Sequence, residues 1–128
     1  MNSRRMFLFS AAALAFGASP APAFEIQPYD PVAAEIAIAS GKPVIIHVYA
    51  SWCLQCHAQA SILDGLKAEK TYDREQFFRV DYDGQKDVVE KLGCPRSTVI
   101  AYKGGKEVAR MSWGMSKDSV VKVLDAAL

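Results

Sequence analysis

Neither sign of charge is in excess in this sequence: 15 Lys and Arg face 14 Asp and Glu, a formal net charge of +1. That balance offers no basic face for nucleic acid or for an anionic membrane. Long apolar runs are missing too. The stretch from Met6 to Phe16 falls well short of the roughly 18 to 20 residues that span a bilayer, which argues against a permanent anchor. No internal repeat, low-complexity tract or linker is present, and 128 residues leave no room for a second ordinary domain. Cysteine is scarce: Cys53, Cys56 and Cys94 make one pair with one left over.

What is present begins with an export pattern. A basic start containing Arg4 and Arg5, a short apolar and small-residue stretch, and Ala21-Pro22-Ala23 have the layout of a cleavable leader over residues 1–23. Cleavage is expected after Ala23, leaving residues 24–128 as the domain, with 13 basic and 14 acidic residues. Ser3-Arg4-Arg5-Met6-Phe7-Leu8 fits the bacterial twin-arginine signal, with an ordinary Sec leader as the alternative. A periplasmic location is the expectation.

Along the remaining chain, strand and helix patterns alternate. Phe24 to Pro28 reads as a short edge strand. Asp30 reads as an N-cap with Pro31 at the first helical position, and the helix runs from Val32 to Ser40 and closes at Gly41. Val44 to Tyr49 is β-branched or aromatic at nearly every position, as suits a central strand buried on both faces. A helix is expected from Cys53 to about Lys70, a strand from Phe77 to Tyr82, and a short helix from Lys86 to Leu92 stopped by Gly93. Thr98–Tyr102 and Glu107–Met111 flank Gly104-Gly105 as a hairpin. Ser116 caps a last helix whose Val120, Val121, Leu124 and Leu128 are expected to face inward. The order implies an α/β fold, a central sheet of four to five strands flanked by helices.

Cys53 and Cys56 are the chemical feature. A disulfide between them would close almost no loop and add little stability, so its purpose is chemical. At the start of a helix, free N–H groups and the helix dipole favour a thiolate at Cys53, which can attack a partner disulfide, and Cys56, one turn on, can resolve the mixed disulfide.

Val48-Tyr49-Ala50-Ser51-Trp52-Cys53-Leu54-Gln55-Cys56 resembles the active-site segment of the thioredoxin family, and Phe78 to Asp83 and Tyr102 to Gly105 also find counterparts there. The resemblance covers nearly all of residues 24–128 and implies a thioredoxin-like fold and thiol–disulfide exchange. No cofactor or metal is implied. Its partners would be protein disulfides or dithiols and a redox partner in the membrane or envelope, with the chain a monomer. Trp52 matches the tryptophan beside the family's nucleophile. His47 stands where thioredoxins carry a buried acid, which makes it a candidate proton acceptor for Cys56, and Arg79 stands at the neighbouring lysine position.

Ser97, followed by Thr98, falls where the family has a cis-proline facing the disulfide and guiding substrate backbone. A cis peptide before serine would cost several kcal/mol, so a trans loop is expected. Loss of the proline would open the site to small ligands or metal. Cys94 lies in the same loop, by the resemblance near Cys53, either as a small apolar side chain or as a second sulfur for exchange or metal.

Two other chemistries share these residues. Cys53-Leu54-Gln55-Cys56-His57 satisfies the c-type haem attachment pattern, but the α/β reading opposes a small helical haem domain. Cys53, Cys56, Cys94 and His57 or His47 are the types that hold Cu(I) or Zn, which makes envelope metal handling the alternative function. Between donor and acceptor of electrons, the reading leans to a reductase.

Overall fold

Val44–Tyr49 forms β2, and five of its six side chains are buried. It lies at the centre of a five-stranded sheet of order β1-β3-β2-β4-β5. The computed structural model describes residues 24–128 together with Gly17; the expected leader over residues 1–23, its cleavage point and its twin-arginine pattern lie outside them. The other strands are β1 (Ile26–Pro28), β3 (Gln76–Asp81), β4 (Thr98–Lys103) and β5 (Lys106–Ser112). β1 and β2 both run parallel to β3, while β4 is antiparallel to β2 and to β5. Gly104 and Gly105, at φ +61° and +82°, make the β4–β5 turn in the left-handed region that side-chain-bearing residues avoid.

Alternation along β2 divides the core. Val44, Ile46 and Val48 pack with Phe78, Val80 and Ile100 beneath α1 (Pro31–Ala39) and α3 (Lys86–Leu92). Ile45 packs with Phe77 and Val99 beneath α2 (Leu54–Leu66) and α4 (Lys117–Ala126). His47 belongs to this second face, under α2. Among the described residues, no helix is long and apolar enough to cross a membrane.

Local signals explain most boundaries. The Asp30 carboxylate accepts the Val32 N–H at 3.1 Å, with Pro31 in the first turn. Gly93, at φ +63°, ends α3. Two expectations need correction. The helix after Cys53 ends at Leu66, and Lys70–Tyr72 is a separate turn of 3₁₀ helix. The chain leaves the helix axis because Tyr72 is drawn into the core, where its hydroxyl donates to Asp125 at 2.8 Å. On α4 the inward residues are Val120, Val123, Leu124 and Ala127, whereas Val121 is only partly buried and Leu128 is exposed.

Glu75, just before β3, is buried with neither carboxylate oxygen hydrogen-bonded. Burial, and then the nearby Asp125 charge, push its pKa up to about 8, so it is mostly protonated at neutral pH.

Candidate active site

The site is the junction of β2 and α2. Cys53 is the N-cap of α2: its Sγ accepts the Cys56 backbone N–H at 3.2 Å, one of the donors a helix start leaves unpaired. Both cysteines are free thiols here. They share a small buried cluster with Ala50, walled by Tyr49 and Tyr82.

Their environments differ in sign. Burial pushes the Cys53 thiol up, but the Cys56 thiol and backbone N–H, with smaller contributions from the nearby Arg96 and Ser97 side chains, outweigh it and hold Cys53 below its ordinary value. Burial pushes Cys56 up, and its donation to Cys53 adds to this, against smaller opposing contributions from Ala50 and Ser97. At neutral pH the first cysteine is the readier thiolate and the second keeps its proton.

Ser97 sits opposite. Among the described residues no peptide bond is cis, so the loop is trans as expected. Ser97 is held in the left-handed region at φ +63°; its N–H donates to Val48 O at 2.9 Å and its carbonyl accepts from Trp113 N at 2.8 Å. Proline has no N–H to give Val48 and cannot adopt a positive φ, so this backbone excludes it. The Ser97 hydroxyl is buried without a hydrogen bond of regular geometry, yet close enough to both sulfurs to lower the pKa of each. The Thr98 side chain is buried, its hydroxyl engaged by Pro95 O and Ser112 Oγ, both at 2.8 Å.

His47 is buried, and its Nε2 lies 3.0 Å from Gln59 Oε1. The Gln59 amide nitrogen donates to Ser97 O at 3.0 Å and Gly114 O at 2.9 Å. Those carbonyls fix the amide orientation, so Oε1 faces the ring and Nε2 must carry the histidine proton. Nδ1 is left as a buried acceptor without a partner. Burial, then the Arg79 charge, lower the His47 pKa from 6.5 to about 4 against the opposing Gln59 hydrogen bond. Arg79 is its register partner on β3 and lies over the Tyr49 ring at 4.8 Å. No hydrogen bond joins His47 to Cys56 directly.

His47 and Glu75 make the stability of the fold depend on pH. Between about 4 and 6.5 the unfolded chain protonates His47 and the folded chain does not, so this group's stabilisation is lost as pH falls through that window, on the order of 3 kcal/mol in all. Glu75 has the opposite sign: the folded chain holds a proton that the unfolded chain has released between 4.5 and about 8, so its contribution is lost as pH rises. The two slopes oppose each other between about 4.5 and 6.5. Urea midpoints should be nearly level there and fall above it. Glu75→Gln should abolish the upper fall and uncover a decline below pH 6.5; a variant curve level down to pH 4 would refute the His47 assignment.

Trp52 is exposed, and its Nε1 donates to Asp83 at 2.7 Å. His57 also lies at the exposed rim, within 3.2 Å of the Tyr49 hydroxyl. Cys94 packs on the other face of the sheet with Val88, Val89 and Leu92, apart from the cluster of Cys53 and Cys56, and burial raises its pKa. Among the described residues, no group of three or more His, Cys, Asp or Glu side chains is placed to hold a metal ion.

Three residues escape a reading of the sequence. Gln59 was open to detection: Cys56, Gln59, Leu63 and Leu66 form one buried stripe on α2, and a polar residue in such a stripe needs partners. Arg96 and Trp113 carry no comparable signal. The Arg96 guanidinium carbon lies 4.6 Å over the Trp52 ring and 4.8 Å over that of Trp113.

A Cys-x-x-Cys pair capping a helix behind a buried strand, with one thiol lowered and the other raised, defines a thiol–disulfide oxidoreductase. The sequence profile of the thioredoxin family matches residues 31–126, and the chain belongs to that family. It is 38% identical over 77 residues to thioredoxin-2 of Saccharomyces cerevisiae, covering 59% of this chain and 72% of the yeast protein. It is 35% identical over 88 residues to the thioredoxin of Chlamydia muridarum, covering 68% of this chain and 83% of that protein. Among solved structures, Trxlp from Edwardsiella tarda superposes with a TM-score of 0.73 at 34% identity, over 78% of this chain and 98% of that one.

Proposed function

We propose that this chain is an exported dithiol reductant of protein disulfides. Cys53 attacks a partner disulfide, forming a mixed disulfide and expelling one partner thiolate. Cys56 then attacks Cys53 Sγ, closing the Cys53–Cys56 disulfide and releasing the second partner thiolate; two electrons pass to the partner. A redox partner in the membrane or envelope returns the chain, acting as a monomer, to the dithiol. Trp52 and the Ser97–Thr98 backbone flank the incoming substrate. The acceptor that His47 offers to the Cys56 proton is Nδ1, and with an affinity held to about 4 it takes up a proton only transiently. Delivery to the periplasm rests on the pattern of residues 1–23.

The observation that carries the reading is geometric: Cys53 Sγ caps the start of α2, accepting the Cys56 N–H at 3.2 Å, with Cys56 fully buried one turn behind it. Equilibration of residues 24–128 with glutathione tests this. A reduction potential near about −270 mV is expected, one near about −120 mV would overturn the direction, and failure to exchange at all would overturn the class.

A further inference from the structure

Arg96 is placed beside the exchange centre more elaborately than the exchange step requires. Its guanidinium lies over two indoles, those of Trp52 and Trp113. Trp113 is fixed there at a cost, since its backbone occupies the left-handed region at φ +69° and its N–H is tied to Ser97 O. Indole faces attract a guanidinium but accept none of its in-plane hydrogen bonds, so the two rings leave its N–H groups unpaired. Among the described residues Arg96 has no carboxylate partner: the four ion pairs involve Lys67, Lys91, Arg110 and Lys117. The Arg96 Nε is buried without a hydrogen bond. Asp83, the acid on this rim, is engaged by Trp52 Nε1. A cation is thus held in fixed orientation, without a counter-charge, next to the sulfur a substrate must approach, and flanked by the exposed rings of Trp52 and Trp113.

We propose that Arg96 is the specificity-determining residue of the exchange centre, binding a carboxylate that the substrate carries beside its disulfide. The inference rests on the exchange reading and adds the substrate class. In the free dithiol the guanidinium is near enough to the Cys53 sulfur to lower its pKa. Once that sulfur is bonded in the mixed disulfide it is no longer an anion, and the cation's fork becomes free for the planar, two-oxygen acceptor it fits best.

The test measures second-order rates of the reduced protein with 3,3′-dithiodipropionate (anionic), bis(2-hydroxyethyl) disulfide (neutral) and cystamine (cationic), for wild type and Arg96→Gln. A changed Cys53 thiolate alters all three by one common factor, whereas a lost carboxylate site alters their ratio. The anionic-to-neutral ratio is expected to fall about fivefold in Arg96→Gln, the upper range for a solvent-facing ion pair. In wild type alone, the same ratio should fall as salt is raised. A common factor for all three disulfides, or a ratio indifferent to salt, overturns the proposal; no reaction with any of them would instead overturn the exchange reading. Two peptide disulfides with Glu or Gln beside the cysteine separate the sources. A Glu preference lost in Arg96→Gln assigns the carboxylate to protein substrates, and a preference confined to dithiodipropionate assigns it to small acidic disulfides.

Discussion

Cys53→Ser is expected to abolish disulfide exchange, a loss on the order of 10⁴-fold or more, while Cys56→Ser should still attack and then stall as a covalent adduct. The asymmetry has a structural origin. Cys53 caps α2 and is the thiol whose pKa is held down, so the step that starts the reaction belongs to it. Cys56 is fully buried and its thiol is raised, so it waits until Cys53 is already bonded to the partner. Intact-mass measurement after mixing each variant with a disulfide-containing protein distinguishes them: Cys56→Ser gains the partner's mass, Cys53→Ser does not, and dithiothreitol reverses the gain. Adducts on Cys53→Ser through Cys56 would reverse the assignment of roles, and adducts on neither would remove the mechanism. Cys94→Ser should leave both results unchanged, because Cys94 packs on the opposite face of the sheet.

Gln59→Leu is expected to destabilise the fold by about 4 kcal/mol, lowering Tm by roughly 15 °C or more. Leucine fills nearly the same volume, so packing is not the reason. The substitution leaves the His47 Nε2–H and the Gly114 carbonyl without partners, each a cost of about 1–3 kcal/mol for a buried polar group. Ser97 O keeps its bond from Trp113 N and adds less. Thermal and urea denaturation measure the change. A loss of about 1 kcal/mol or less would mean that Gln59 merely fills space and that the bonds to β2, the Ser97 loop and Gly114 contribute little.

The cysteine pair and Gln59 differ in how plainly the sequence announces them. The cysteine pair, β2, α3 and the glycine hairpin were legible in sequence because each is encoded locally, by spacing, β-branching or residues suited to positive φ. His47 and Ser97 could be placed through the family resemblance, which sets them where thioredoxins carry a buried acid and a cis-proline. Other features depend on chain segments far apart. Residues 67–70 are good helix formers, yet α2 stops short of them because Tyr72 must reach Asp125, 53 residues on. The inward face of α4 is set by what lies beneath it, which selects Val123 and Ala127 over Val121 and Leu128. Gln59 takes its partners from Ser97 and Gly114, 38 and 55 positions away, and Arg96 takes its two indoles from Trp52 and Trp113; no local pattern announces such contacts. The left-handed Trp113 is still less legible, since tryptophan has no preference for that conformation and the contacts that fix it, the bond to Ser97 O and the Arg96 guanidinium over its ring, come from another segment.

The sheet's arrangement also bears on self-association. Its two open edges are poor templates for another strand: β1 has three residues and ends at Pro28, while β5 carries Lys106, Glu107 and Arg110. Val44–Tyr49 is the opposite kind of segment, six residues of high β-propensity without a carboxylate, lysine or arginine, the composition that forms cross-β stacks when bared. In the native sheet it is shielded by β3 on one side and β4 on the other. Resistance to aggregation therefore depends on how rarely the centre of the sheet opens. The hazard grows under alkaline conditions, where ionisation of Glu75 weakens the fold around it.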